Sequence, residues 1–322
     1  MTDRPHNFDE GHMVAKHEFW SRVFTFVPTP LEDDGEAIDE DGLRRVLDHQ
    51  IGNRVDGVCV FGSTGGNGSF SEDEMKRGIE VAARHVDGRI AVIAGTGART
   101  TAACTRLSQH AEAVGCDGVM ILPMTYWPLT LDEVRAHFER VADAIGLPIC
   151  VYNNPWTTGI DMPPEFLAEL ARHENMRCVK ESTGDLTRIS RIRALTGDDV
   201  AIIAGWESTS LQAFSAGATG WAPVVSNFLP AEAMAFFRAA VYEDDVAQAR
   251  AIWDRLFPIC DMICAKSHIR VGHTGLDILG RPVGPPRRPL RMLGEDDREA
   301  LRAALEEAGA MGAEAGAGIA AQ

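Results

Sequence analysis

Lysine is scarce in this chain, limited to Lys16, Lys76, Lys180 and Lys266. Lys180 stands apart from the other three. It follows Met176-Arg177-Cys178-Val179, an apolar run that reads as a buried strand, whereas the others lie in a terminal arm or in polar-flanked helices. Burying an unpaired ammonium is costly, and desolvation favours the neutral amine. A neutral lysine amine is the nucleophile that forms a Schiff base with a ketone. The alternative is a structural ion pair between Lys180 and adjacent Glu181. Tyr152, one of three tyrosines, closes the preceding strand. A phenol beside an amine can relay protons; a ring packed on the rim is the plainer use.

Other strand ends supply polar groups. Gly62-Ser63-Thr64-Gly65-Gly66-Asn67-Gly68 follows a strand and precedes a helix, superficially like a dinucleotide loop. Its spacing is not GxGxxG, and the next strand ends Ala94-Gly95-Thr96 without the acidic residue that a ribose needs. Carboxylate binding by the Ser63 and Thr64 hydroxyls and the loop N–H groups suits it better, against a plain glycine turn. The ten histidines form no HxH or HExxH pair, which disfavours a metal hydrolase. Cys260, Cys264 and His268 recur every four residues. Three such ligands on one helix rarely converge on an ion, so they read as a packed helix face. The seven cysteines include no CxxC pair and lie mostly in apolar runs, as expected of reduced thiols without a structural metal.

The elements that must position these groups alternate. Continuous apolar runs predict strands over 23–27, 57–61, 90–94, 118–122, 148–152, 177–181, 200–204 and 217–225, buried on both faces as parallel strands are. Helices are expected between them, over 39–53, 71–85, 100–114, 131–145, 164–173, 186–195 and 208–215. Ser71-Glu72-Asp73-Glu74 is a capping box, and Pro163-Pro164-Glu165 puts proline in a first turn. Eight β/α units predict a (β/α)8 TIM barrel, with a doubly wound sheet as the alternative. In a barrel, chemistry belongs at the C-terminal strand ends, where Ser63, Thr64, Tyr152, Lys180 and Gly205-Trp206-Glu207 all fall. After Phe228 helices are expected over 230–242, 245–257 and 258–271, then a loop over 280–289 and a last helix over 295–307. The organisation is an extension over 1–20, the barrel over 21–243, a C-terminal helical region over 244–308 and an Ala/Gly-rich disordered tail over 309–322.

The charge balance, 31 Lys+Arg against 47 Asp+Glu for a net −16, argues against nucleic acid as a partner. No apolar run approaches the roughly 18 residues of a membrane helix. The first 20 residues contain no apolar signal core, so the expected location is cytoplasmic.

Taken together, these motifs resemble the dihydrodipicolinate synthase/N-acetylneuraminate lyase family of Schiff-base barrel enzymes. The matching segments are Val27-Pro28-Thr29-Pro30, Gly62-Ser63-Thr64-Gly65, Ala94-Gly95-Thr96-Gly97, Tyr152-Asn153-Asn154-Pro155, Thr158-Gly159 and Val179-Lys180-Glu181-Ser182-Thr183-Gly184-Asp185. Tyr152 and Lys180 stand 28 residues apart, the family's usual interval. The resemblance covers about residues 22–292. It implies Lys180 as the Schiff-base lysine, Tyr152 as the proton relay, and Ser63 and Thr64 on the substrate carboxylate. It also implies no metal or organic cofactor, and a homotetramer of two tight dimers or a homodimer. Gly205, Glu207 and Ser208 align with positions that contact polyol hydroxyls in the sugar-acid lyases.

Three positions depart from the synthase pattern. The arginine that binds a second carboxylate is Thr157, the paired tyrosines after strand 4 become Met124-Thr125 with Tyr126-Trp127 following, and the glutamate after GxTG is Gly66. These changes point away from lysine biosynthesis. Trp206 and the run Met124–Trp127 are expected to narrow the mouth. The expected activity is retro-aldol cleavage of a hydroxylated or deoxy-sugar-acid-like 2-oxo acid to pyruvate and an aldehyde. The alternatives are dehydration through the same imine, or a non-catalytic barrel that binds 2-oxo acids.

Overall fold

The computed structural model describes residues 16–311; the rest of the expected extension (1–15) and of the expected tail (312–322) lies outside the described residues. Eight parallel strands pair in chain order: β1 (Phe24–Phe26), β2 (Gly57–Val60), β3 (Ala91–Gly95), β4 (Gly118–Ile121), β5 (Ile149–Asn153), β6 (Cys178–Glu181), β7 (Ala201–Ala204) and β8 (Gly220–Trp221). A parallel bridge between Val23 and Trp221 joins β8 to β1, and the Trp221 amide donates to the Arg22 carbonyl at 2.9 Å. The sheet closes on itself, which excludes the doubly wound alternative with its open edges.

Period-two alternation sorts the strand residues. Cys150 and Tyr152 of β5 and Cys178 of β6 pack inside the barrel with Phe24, Phe26 and Ile203, while Val151 and Val179 face the helices. Lys180, two residues after Cys178, therefore shares the inward face, and Glu181 turns outward. Trp20, from the short helix Lys16–Trp20, is fully buried against the bottom of the barrel. There its ring and carbonyl leave no room for a Cβ at Gly118 or Gly220. The end of the expected extension is thus a plug under the strands.

The helices begin as their sequences require. Ser71 Oγ accepts from the Glu74 amide at 3.3 Å while the Glu74 carboxylate accepts from the Ser71 amide at 2.8 Å, which is the expected capping box. Pro164 opens the helix Pro164–Leu170.

Two expectations fail for identifiable reasons. The last strand stops at Trp221 rather than Val225, because the Val224 and Val225 amides turn to the Glu207 carboxylate, at 2.9 and 2.7 Å, instead of extending a ladder. Further on, helix Val246–Lys266 runs through Pro258, where a break was expected, and the break falls at Ser267. Proline removes one N–H donor; here Leu256, Ile259, Cys260 and Ile263 keep a continuous buried face across it. Ser267 adopts φ 93°, a left-handed conformation uncommon for a residue with a Cβ, and a separate helix, His268–Ile278, starts after it. Among the described residues no helix is long and apolar enough to cross a membrane.

Candidate active site

The C-terminal ends of the strands open onto a cavity of about 180 Å³. Lys180 rises into it from β6 and is 4% exposed. Its Nζ sits 4.0 Å from the ring centroids of both Phe26 and Tyr152, so its near neighbours are two aromatic faces. The ion-pair alternative fails on direction. Glu181 points out of the barrel, where its carboxylate meets Arg188 Nε at 3.2 Å, the Asn153 side-chain amide at 3.1 Å and the Thr183 amide at 2.8 Å.

Tyr152 lies opposite Lys180 in the β5–β6 register. Its phenol oxygen accepts from Asn154 Nδ2 at 2.8 Å, which leaves the phenol proton free to be donated elsewhere. Burial alone would push the phenol up. The Lys180 ammonium, the Asn154 amide and the nearby Ser63 and Ser182 hydroxyls outweigh it and bring Tyr152 below the usual tyrosine range. A phenol so lowered, on a ring whose face lies 4.0 Å from a lysine Nζ, is suited to passing protons within this cavity.

The other expected positions divide. Ser63, Thr64, Gly205 and Glu207 line the same cavity; Ser208 does not, and its amide donates to Cys264 Sγ at 3.4 Å. Thr64 is buried and Thr29 holds the loop by donating to the Gly65 carbonyl at 2.8 Å. Gly205 is required by close approach, since a Cβ there would lie 2.0 Å from Ser182 Oγ and 3.0 Å from Lys180 Cε. Glu207 is buried with both backbone amides on its carboxylate, so it fixes the β7 and β8 loops as well as facing the cavity.

Burial pushes the Glu207 carboxyl up to about 7, although the Val225 and Val224 amides and Lys180 pull the other way. A carboxyl raised in the folded state stabilises the fold at low pH and withdraws that stability as pH rises through its folded value. Glu207→Gln keeps an acceptor for both amides but cannot titrate. Between about pH 5.5 and about pH 8 the wild type is expected to lose about 2 kcal/mol more unfolding free energy than the variant. Parallel urea-unfolding profiles against pH would refute this.

The mouth differs from expectation. Tyr126 and Trp127 are 84% and 71% exposed and do not line the cavity, so within this chain they do not narrow it. Met124 packs over Gly68. Trp206 does line the mouth, joined by Trp156 at 6.1 Å between ring centroids, with Trp156 Nε1 donating to the Thr183 carbonyl at 3.1 Å. His268 was missed as well. It faces the cavity near the Ser63 carbonyl and Lys180, and Cys264 lines the same cavity, while Cys260 packs in the core. The fourfold spacing is real, but the chain turns at Ser267 before reaching His268. All seven cysteines are free thiols, six of them buried, and burial pushes Cys59 up to about 12. Among the described residues no cluster of His, Cys, Asp or Glu is arranged to hold a metal. A second cavity of about 210 Å³, lined by His49, Gln50 and Arg281, lies outside the barrel and carries no nucleophile.

Known proteins are similar to this chain in architecture and in sequence. Residues 19–308 match the model of the dihydrodipicolinate synthetase family. The 4-hydroxy-tetrahydrodipicolinate synthase of Pelobacter propionicus is 34% identical over 281 residues, covering 87% of this chain and 96% of that one. The crystal structure of the Cyanidioschyzon merolae dihydrodipicolinate synthase with lysine bound superposes with a TM-score of 0.87 at 29% identity, covering 91% of this chain and 99% of the other. That of the chloride-inhibited Acinetobacter baumannii enzyme complexed with pyruvate gives 0.85 at 27% identity, with 90% and 99% covered. Barrel and C-terminal helices lie inside the match, and the chain belongs to the dihydrodipicolinate synthetase family, as a lyase of the class I aldolase type.

Proposed function

We propose that this enzyme forms an imine between Lys180 and a 2-oxo acid carrying a single carboxylate, and cleaves it by a retro-aldol reaction to pyruvate and an aldehyde. One observation carries the substrate class. Lys180 is the only lysine or arginine among the residues lining the cavity, with Thr157 where a second carboxylate would need a cation. A dicarboxylate product or substrate of the kind that the relatives' name implies would leave one carboxylate buried without a counter-charge, which is costly.

The Ser63 and Thr64 hydroxyls hold the substrate carboxylate. The Lys180 amine attacks the C2 ketone, Tyr152 moves the protons of carbinolamine dehydration, and the protonated imine accepts the electron pair of the breaking C3–C4 bond. Gly205 lets the Ser182 and Lys180 side chains approach its backbone at the cavity wall, and Glu207 faces the hydroxylated end of the substrate; Ser208, off the cavity, supports the Cys264 contact instead. Trp156 and Trp206 offer ring faces to the aldehyde portion. The same imine supports dehydration, and product analysis separates the two outcomes.

The test is borohydride reduction in the presence of pyruvate, with the modified peptide located by mass. The expected product is a single adduct on Lys180. Folded protein that yields none, with pyruvate or with longer 2-oxo acids, would end the imine assignment.

A further inference from the structure

We propose that His268 is a catalytic residue of this reaction, the base that takes the C4 hydroxyl proton and returns it to C3; this rests on the imine reading above. Three observations converge on it. His268 lines the cavity that holds Lys180 and Tyr152, although it belongs to the C-terminal helices and not to the barrel. It is brought there by Ser267, a non-glycine residue at φ 93° that ends one helix and starts the next. Backbone held in a sparsely populated conformation persists only where its surroundings enforce it, and such positions cluster at functional sites. The imidazole also lies beside the Ser63 carbonyl. A ring N–H given to that carbonyl would leave the other ring nitrogen as the acceptor that a base requires.

Burial and the neighbouring Lys180 charge bring His268 down to about 4, against the opposing pull of the Ser63 carbonyl, so it is neutral at physiological pH. The Tyr152 ring lies 4.0 Å from Lys180 Nζ and its phenol serves imine formation, so a second proton carrier divides the work. In cleavage, the neutral imidazole removes the proton from the C4 hydroxyl. The O–H electron pair becomes the aldehyde C=O, the C3–C4 pair moves into the iminium to give an enamine, and the aldehyde leaves. The imidazolium then protonates C3, which restores neutral His268, and the water lost in imine formation is added back to release pyruvate and the Lys180 amine, the iminium proton returning through Tyr152. Protons and electrons balance without a further reactant.

Pyruvate itself tests this. Imine and enamine interconvert on bound pyruvate, so its methyl protons exchange in D2O at a rate that NMR can follow. His268→Gln is expected to slow methyl exchange about 100-fold or more, while the borohydride-trapped pyruvate adduct on Lys180 forms as in the wild type. His268→Ala is expected to show the same loss and to regain exchange with added imidazole, a response that a purely structural role does not produce. Exchange within threefold of the wild type in either folded variant overturns the assignment. So does loss of the trapped adduct together with exchange, which would place His268 in imine formation or in folding. A wild-type protein that neither exchanges nor is trapped is a separate failure, that of the imine itself.

Discussion

Lys180→Met is expected to abolish the pyruvate adduct, to lower turnover of any 2-oxo acid substrate by at least about 10⁴-fold, and at the same time to make the protein harder to unfold. The loss follows from chemistry: with the nucleophile gone, no imine forms and no electron sink exists. The gain in stability follows from the environment. Lys180 is 4% exposed, and its Nζ contacts two aromatic rings rather than a carboxylate. Burying a lysine head group costs several kcal/mol whether the ammonium is desolvated or its proton is given up, and contact with the two rings returns only part of this. Methionine fills nearly the same volume with no charge to desolvate, so stability rises by about 1 kcal/mol. Urea unfolding of the two proteins reads the difference directly. A variant less stable than the wild type would mean that Lys180 is there to hold the barrel together, and a variant that keeps activity would remove it from the chemistry.

Much of this site is readable in the sequence because β-strands alternate. Once residues 177–181 are taken as a strand, Cys178 inward implies Lys180 inward and Glu181 outward. The alternation of apolar runs with amphipathic segments likewise locates all eight strands, because parallel strands buried on both faces have no polar positions to hide them. What sequence periodicity misreads is where a regular element yields to a tertiary contact. Gly217–Val225 has the composition of a strand, but its last amides go to a carboxylate from another loop. Pro258 has the signature of a helix end, but packing on both sides carries the helix past it. Ser267 has no helix-breaking signature at all, so His268 could not be separated from Cys260 and Cys264 by spacing alone. The exposed rings of Tyr126 and Trp127 show the same limit, since their loop position does not say which way they point.

Arg188→Ala tests the other side of β6, and its effect should fall on folding rather than on chemistry. Arg188, in the helix Leu186–Thr196, donates from Nε to Glu181 at 3.2 Å and from its two terminal nitrogens to Asp161 at 3.2 and 2.9 Å, and it also donates to the Met162 carbonyl at 2.6 Å. The Glu181 side chain is 1% exposed, whereas Asp161 is 49% exposed and can be hydrated when the arginine is gone. The cost therefore concentrates on Glu181. Breaking a buried pair by removing one partner costs about 3–5 kcal/mol, and the Asn153 and Thr183 donors that remain on Glu181 favour the lower end, about 3 kcal/mol. Lysine cannot reproduce the fork that spans Glu181, Asp161 and the carbonyl, so Arg188→Lys should fall between. Adding Glu181→Gln to Arg188→Ala removes the stranded charge and should recover most of the loss, a coupling that a double-mutant cycle measures. If Arg188→Ala costs under about 1 kcal/mol, or if the second substitution recovers nothing, the charge on Glu181 is not what Arg188 holds in place. Because Glu181 and Lys180 are consecutive residues on opposite faces of β6, the variant is also expected to keep the trapped pyruvate adduct wherever it remains folded.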